Sequence, residues 1–183
     1  METKNKIMAS AFGLFATKGI HFSLSEVAQA VGIKKASIYA HFESKDLLIY
    51  NVIDQEIKEY FFKINQENDD LEKLFFGVLN YYNDSHVKLL FWKRLLLLPS
   101  ESTNPILLEQ IHHMSVERYT IVNTLIKRDM QLGLLKDQSD EEISLMFFSL
   151  LHGLLSSTML YHSKDIKKHY ASIWNIFYAS IKL

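Results

Sequence analysis

The sequence predicts an all-α chain of about nine helices: an N-terminal three-helix helix-turn-helix domain followed by a larger helical domain. Three observations predict it. Only two prolines and six glycines interrupt 183 residues, which suits long continuous helices. Apolar residues recur at helical spacing, and no stretch reads convincingly as a strand. Residues 23–48, SLSEVAQAVGIKKASIYAHFESKDLL, hold two short helical patterns joined at Gly32, with a third helix start directly behind them. A helix-turn-helix placed so near an N-terminus serves to put its second helix into the DNA major groove.

The first helix is expected from Lys4 to Lys18, with Ile7, Ala11, Leu14 and Phe15 at helical spacing and Gly19 as its stop. Ser23 to Glu26 has capping-box form and opens the second, which buries Val27, Ala28 and Val31 and ends at Gly32. Ile33 plugs the turn, and the third helix covers Lys35 to Phe42. Ser44 caps a fourth that runs from Lys45 into the Ile57–Phe62 region. Further helices are expected at Asp70–Tyr82 and His86–Leu98, with a loop at Pro99–Thr103. Asn104-Pro105 supplies an N-cap and an N1 proline for a seventh helix, which reaches Leu132 and stops at Gly133. A second capping box, Ser139 to Glu142, opens an eighth that ends near Tyr161, and a ninth spans Asp165–Lys182. These divide into domains at 1–46 and 47–183.

Composition removes several function classes. There is no cysteine, so a disulfide framework, a thiolate zinc site and a cysteine nucleophile are excluded. A Gly-rich phosphate loop, a Gly-x-Ser-x-Gly elbow and a Glu-x-x-His di-metal motif are all missing, so an enzyme is not expected, and neither is a cofactor. His112 and His113 are neighbours on one helix and point about 100° apart, which does not suit one metal ion. The N-terminus lacks a signal-peptide core, and a cytoplasmic protein is expected. Ile143–Ser163 carries no charged Asp, Glu, Lys or Arg over 21 residues, close to spanning length. Its five serines, Thr158, two histidines and Gly153 favour a helix buried by protein instead, and no membrane contact is expected. Net charge is −1, split as six Lys/Arg against four acids in residues 1–46 and 14 against 17 beyond them. A basic end on an acidic body fits DNA contact through the N-terminus.

On a helical wheel, Ile38 and Phe42 share the buried face of the third helix, which turns Ala36 and Ala40 outward with Ser37 and Tyr39 beside them. Small residues let a helix approach base edges, and an alanine methyl can meet a thymine methyl. Lys34, Lys35 and Lys45 can reach phosphates, as can the hydroxyls of Ser25, Ser37 and Tyr39. The motif Leu14-Phe15 with Gly19, then Val27-Ala28, Gly32-Ile33, and Ser37-Ile38-Tyr39-x-His41-Phe42 before Ser44-Lys45-x-x-Leu48 resembles the tetracycline-repressor (TetR) family of bacterial transcription regulators. The resemblance covers about the first 50 residues. It implies DNA contact by Ser25, Lys34, Lys35, Ala36, Ser37, Tyr39, Ala40, His41 and Lys45. It also implies a homodimer on a palindromic operator in double-stranded DNA, released by a small-molecule inducer. Two departures stand out. Lys34 replaces the usual hydroxyl after the apolar turn residue, and the Gly19–Ser23 link is one residue short, with Phe22 in it.

The resemblance places an inducer pocket among the fourth to eighth helices, where Phe75, Leu79, Trp92, Leu96, His113, Tyr119, Met146 and Leu150 are the candidates. For any one aromatic there, plain core is the competing reading. The eighth helix is apolar around most of its circumference and the ninth carries an aromatic stripe. Phe148, Leu151, Leu155, Tyr170, Trp174 and Phe177 are therefore expected in a four-helix dimer interface. The alternative to a ligand-responsive regulator is a helical interaction or dimerisation module with no small-molecule sensing.

Overall fold

The computed structural model describes residues 2–65, 69–97, 104–161 and 163–183. Among them the chain is helical: α1 Thr3–Lys18, α2 Leu24–Val31, α3 Lys35–Tyr39, α4 Lys45–Ile64, α5 Leu71–Asn83, α6 His86–Leu96, α7 Pro105–Gln131, α8 Asp140–Leu160, α9 Ser163–Lys167 and α10 Tyr170–Ile181. A 3-10 turn, Gly19–His21, leads from α1 towards α2. The sole extended pairing described is an isolated antiparallel bridge between Leu135 and Lys182. The predicted loop Pro99–Thr103 lies outside the described residues.

Helix ends follow their side chains. Ser44 Oγ accepts from the Leu47 N–H at 3.0 Å and starts α4; Asn104 Oδ1 accepts from the Ile106 N–H at 3.0 Å and starts α7. Gly133 closes α7 at φ 69°, where its own N–H and that of Leu134 return to the carbonyls of Met130 and Asp129, both at 2.9 Å. The helix expected over Asp165–Lys182 comes as two, α9 and α10, with His169 as the cap of the second. Ser139 Oγ caps α8 by accepting from Glu142 N–H at 3.3 Å. Asp140 meanwhile accepts from Asn123 at 2.8 Å, which ties the start of α8 to α7.

The chain forms two compact units: residues 1–62 with 84–114, and 63–83 with 115–183. In the first, α1 packs on α2 and α6. Phe91 of α6 meets Phe12 and Phe15 of α1 at centroid distances of 4.7 and 4.9 Å, and Trp92 meets Tyr60 at 5.8 Å. In the second, Phe75 of α5 is the centre, 5.8 Å from Phe147 of α8 and 4.9 Å from Trp174 of α10. Asn83 donates to the Tyr170 hydroxyl at 3.2 Å, adding a polar tie between α5 and α10.

Candidate nucleic-acid interface

Helix α2 is fixed by its first turn. Ser23 Oγ accepts from the Glu26 N–H at 3.2 Å, and the Ser23 N–H donates to Glu26 Oε2 at 2.7 Å, which completes the predicted capping box. Glu26 also pairs with Lys18 at the end of α1. The Lys18 ammonium first, then the Ser23 amide and hydroxyl, hold the Glu26 carboxyl down at about 2. At its other end Gly32 turns the chain at φ 77°, and the N–H groups of Gly32 and Ile33 return to the carbonyls of Gln29 and Ala28. A side chain with a Cβ would be strained there, so glycine sets the angle at which α3 leaves.

Helix α3 is shorter than the sequence suggests. Regular α-helix stops at Tyr39, and the N–H groups of His41 and Phe42 both return to the Ile38 carbonyl at 2.9 Å. The two buried positions are nevertheless the expected ones, Ile38 and Phe42. With that face inward, Lys34, Lys35, Ala36, Ser37, Ala40 and His41 are exposed, as is Ser25 on α2, and Tyr39 is 51% exposed. Lys34 stands at the N-cap and makes no side-chain cap, as its lack of a hydroxyl dictates. The surface is a small-residue ridge flanked by two cations and hydroxyls, the chemistry for phosphate and base-edge contact.

Lys45 departs from expectation. Its ammonium donates to the Ile20 carbonyl and lies 4.9 Å from the centre of the Phe22 ring. The short Gly19–Ser23 link explains this. It winds into the 3-10 turn, buries Phe22 and offers the freed Ile20 carbonyl to the start of α4. Lys45 thus braces the start of α4 against the end of the α1–α2 link. Sequence reasoning also missed Arg94 on α6. It donates to the carbonyls of Ala16 and Thr17 at 2.7 and 2.6 Å, closing the last turn of α1 with a cation. The signal for a partner was α1 ending in glycine, but nothing in the spacing pointed to residue 94.

The eight inducer-site candidates divide between the units. Trp92, Leu96 and His113 belong to the first, and Phe75, Leu79, Tyr119, Met146 and Leu150 to the second. Phe75, Leu79 and Trp92 are fully buried; Leu96, His113 and Met146 are exposed; Tyr119 and Leu150 lie between. Tyr119 stacks on Phe148, 6.4 Å between centroids, with the Arg118 guanidinium 5.5 Å from the centre of that ring.

The dimer-face assignment needs correction. Leu151, Leu155, Tyr170, Trp174 and Phe177 are buried within the protomer, and Phe148 is half-buried against Tyr119. The largest aromatics fill the core around Phe75 and Phe147 instead of forming an outer stripe. The outward apolar side chains of the same helices are Leu145, Met146, Met159 and Leu160 on α8 and Ile176 on α10. Gly153 shares that outer side of α8, where an added Cβ would meet nothing within 4 Å. By length and composition α8 could also cross a bilayer.

Residues 7–50 match the family of bacterial regulatory proteins described as the tetR family. The chain is 39% identical over 54 residues to the HTH-type transcriptional regulator YvaF of Bacillus subtilis (strain 168), covering 30% of this chain and 28% of that protein. It is 25% identical over 178 residues to the HTH-type transcriptional regulator CymR of Pseudomonas putida, covering 90% of this chain and 83% of the relative. A transcriptional regulator from Saccharomonospora viridis, solved in complex with choline, has the same fold. Its TM-score is 0.80 at 17% identity, over 98% of this chain and 97% of that one.

Proposed function

Because the chain belongs to the tetR family of bacterial regulatory proteins, we propose that it binds double-stranded DNA as a cytoplasmic homodimer and regulates transcription. It is a regulator and not an enzyme. The observation that carries the DNA reading is the outer face of α3: Ala36, Ser37, Tyr39 and Ala40 point away from a core held by Ile38 and Phe42. Ala36 and Ala40 approach base edges, and Lys34, Lys35, Ser37, Tyr39 and His41 contact the backbone, joined by Ser25 at the start of α2. The DNA-binding division is residues 1–46, and Lys45 serves it as a brace.

The protein works as a repressor, released from its palindromic operator by a small apolar or amphipathic molecule held in the helical part beyond residue 46. Phe75, Leu79, Tyr119 and Leu150 are its best-placed candidate contacts, because all four belong to one unit and are buried or half-buried. The second copy docks on the outer stripe of α8 and α10, with Leu145 and Ile176 as apolar anchors and Gly153 allowing close approach. The test is selection of bound duplexes from a random pool by the full-length protein. A two-fold symmetric sequence with half-sites about one helical turn apart, or a multiple of it, is expected. Recovery of no enriched sequence would overturn the reading.

A further inference from the structure

The end of α1 is anchored from outside the three N-terminal helices. Arg94 of α6 donates from Nε to the Ala16 carbonyl at 2.7 Å and from Nη2 to the Thr17 carbonyl at 2.6 Å. The last carbonyls of a helix have no partner within it, so an outside donor helps decide where that end sits. The guanidinium lies against Gly19, where an added Cβ would stand 3.7 Å from Arg94 Nη1. Phe91, one turn back on α6, meets Phe12 and Phe15 of α1. Those rings fix the spacing of the two helices. The two directional, charge-assisted bonds of a planar fork fix where α6 lies along α1.

From that end the chain has little slack before the reading face. The 3-10 turn Gly19–His21 follows at once, Lys45 takes the Ile20 carbonyl, Phe22 is buried, and Ser23 is already the cap of α2. Lys18 pairs with Glu26 across the link. Gly32 then sets the angle at which α3 leaves. The direction of the α3 face is therefore inherited from the end of α1. A second polar tie runs the same way: Asn104, at the start of α7, donates to Asp46 in the first turn of α4 at 3.3 Å. Residues 84–114 accordingly share one compact unit with residues 1–62.

We propose that Arg94 is a positioning residue for sequence recognition: by pinning the end of α1 to α6 it sets the angle at which α3 meets the groove, so the support of the reading face extends past residue 46 to α6. The proposal rests on the reading of DNA by α3 given above, and Arg94 acts in it through α1. Contacts to phosphate from the long side chains of Lys34 and Lys35 tolerate a small rotation of α3. Contacts to base edges from the short side chains of Ala36 and Ala40 do not. Loss of Arg94 therefore costs discrimination between sequences before it costs affinity for DNA in general.

The experiment is a fluorescence-anisotropy titration of the full-length protein against the duplex selected by wild type and an unrelated duplex, at one salt concentration. Wild type, Arg94→Met, Arg94→Lys and Ala40→Glu are compared. Arg94→Met keeps an apolar stem and loses the donors. Its preference for the selected duplex should fall about tenfold, the equivalent of one mismatched base pair, while its affinity for the unrelated duplex stays within about twofold of wild type. Arg94→Lys should fall between the two, because a single ammonium lacks the fork. A purely structural role would lower the folded fraction and weaken both duplexes alike, leaving the preference unchanged. If Arg94→Met does not fold by circular dichroism, Arg94→Lys decides, and a preference equal to wild type overturns the proposal. A wild type without preference, or Ala40→Glu with full preference, overturns the α3 reading and this proposal with it. A preference lost in Ala40→Glu but intact in Arg94→Met overturns the positioning role alone.

Discussion

Burial of Glu56 makes a carboxylate a liability to the fold at neutral pH, and the size of that liability can be worked out. The ordinary value is 4.5 and the folded value about 7, raised chiefly by desolvation. Between those limits the folded chain keeps a proton that the unfolded chain has lost. The native state therefore holds more protons, and stability falls as pH rises from 4.5 to about 7. At about 1.4 kcal/mol per unit the interval corresponds to about 3 kcal/mol. Glu56→Gln keeps the shape and removes the titration. It should match wild type near pH 4.5 and exceed it by about 3 kcal/mol at pH 8. Urea denaturation of both proteins at the two pH values, at one protomer concentration, measures this difference and cancels other titrations. The same gap between the proteins at both pH values would refute the reasoning.

Three further outcomes follow from the packing. Arg94→Met removes two charge-assisted bonds to the end of α1 and should cost about 1.5–3 kcal/mol in urea denaturation, with Arg94→Lys recovering part of it. Trp92, at 1% exposure against Phe91 and Tyr60, is a core residue, so Trp92→Ala should cost about 3–5 kcal/mol by denaturation and not act by emptying a pocket. Ile176→Asp, at a position 73% exposed in the protomer, should leave the helical content intact by circular dichroism and yield monomers in sedimentation where wild type yields dimers.

Much of the framework was legible because it is written in local chemistry. Ser23 with Glu26, Asn104 with Pro105, and the glycines at 32 and 133 each act within one turn of their own position, and each helix end stands where they put it. The inward pair Ile38 and Phe42 follows from spacing alone. What escaped depends on distant partners. Lys45 reads as a free cation until the Ile20 carbonyl is brought to it. In α8, apolar residues surround the helix, and periodicity cannot say which side meets the protomer core and which a second copy. The large aromatics Trp174 and Phe177 settled inward because the space around Phe75 and Phe147 takes them, leaving Ile176 outside. The break between α9 and α10 carries no proline or glycine, so no residue marked it.

The central claim is that the outer face of α3 reads DNA. Its most direct measurement is a fluorescence-anisotropy titration of the selected duplex, and of an unrelated duplex, with wild type, Tyr39→Phe and Ala40→Glu. Tyr39→Phe removes one phosphate contact and should weaken both duplexes alike, by a few-fold. Ala40→Glu places a carboxylate against the groove and should lower affinity for the selected duplex by about 100-fold or more, about 3 kcal/mol. Sedimentation of Ala40→Glu should still show the wild-type assembly, since the change lies on an exposed turn. An Ala40→Glu protein that holds the selected duplex as tightly as wild type would contradict the account.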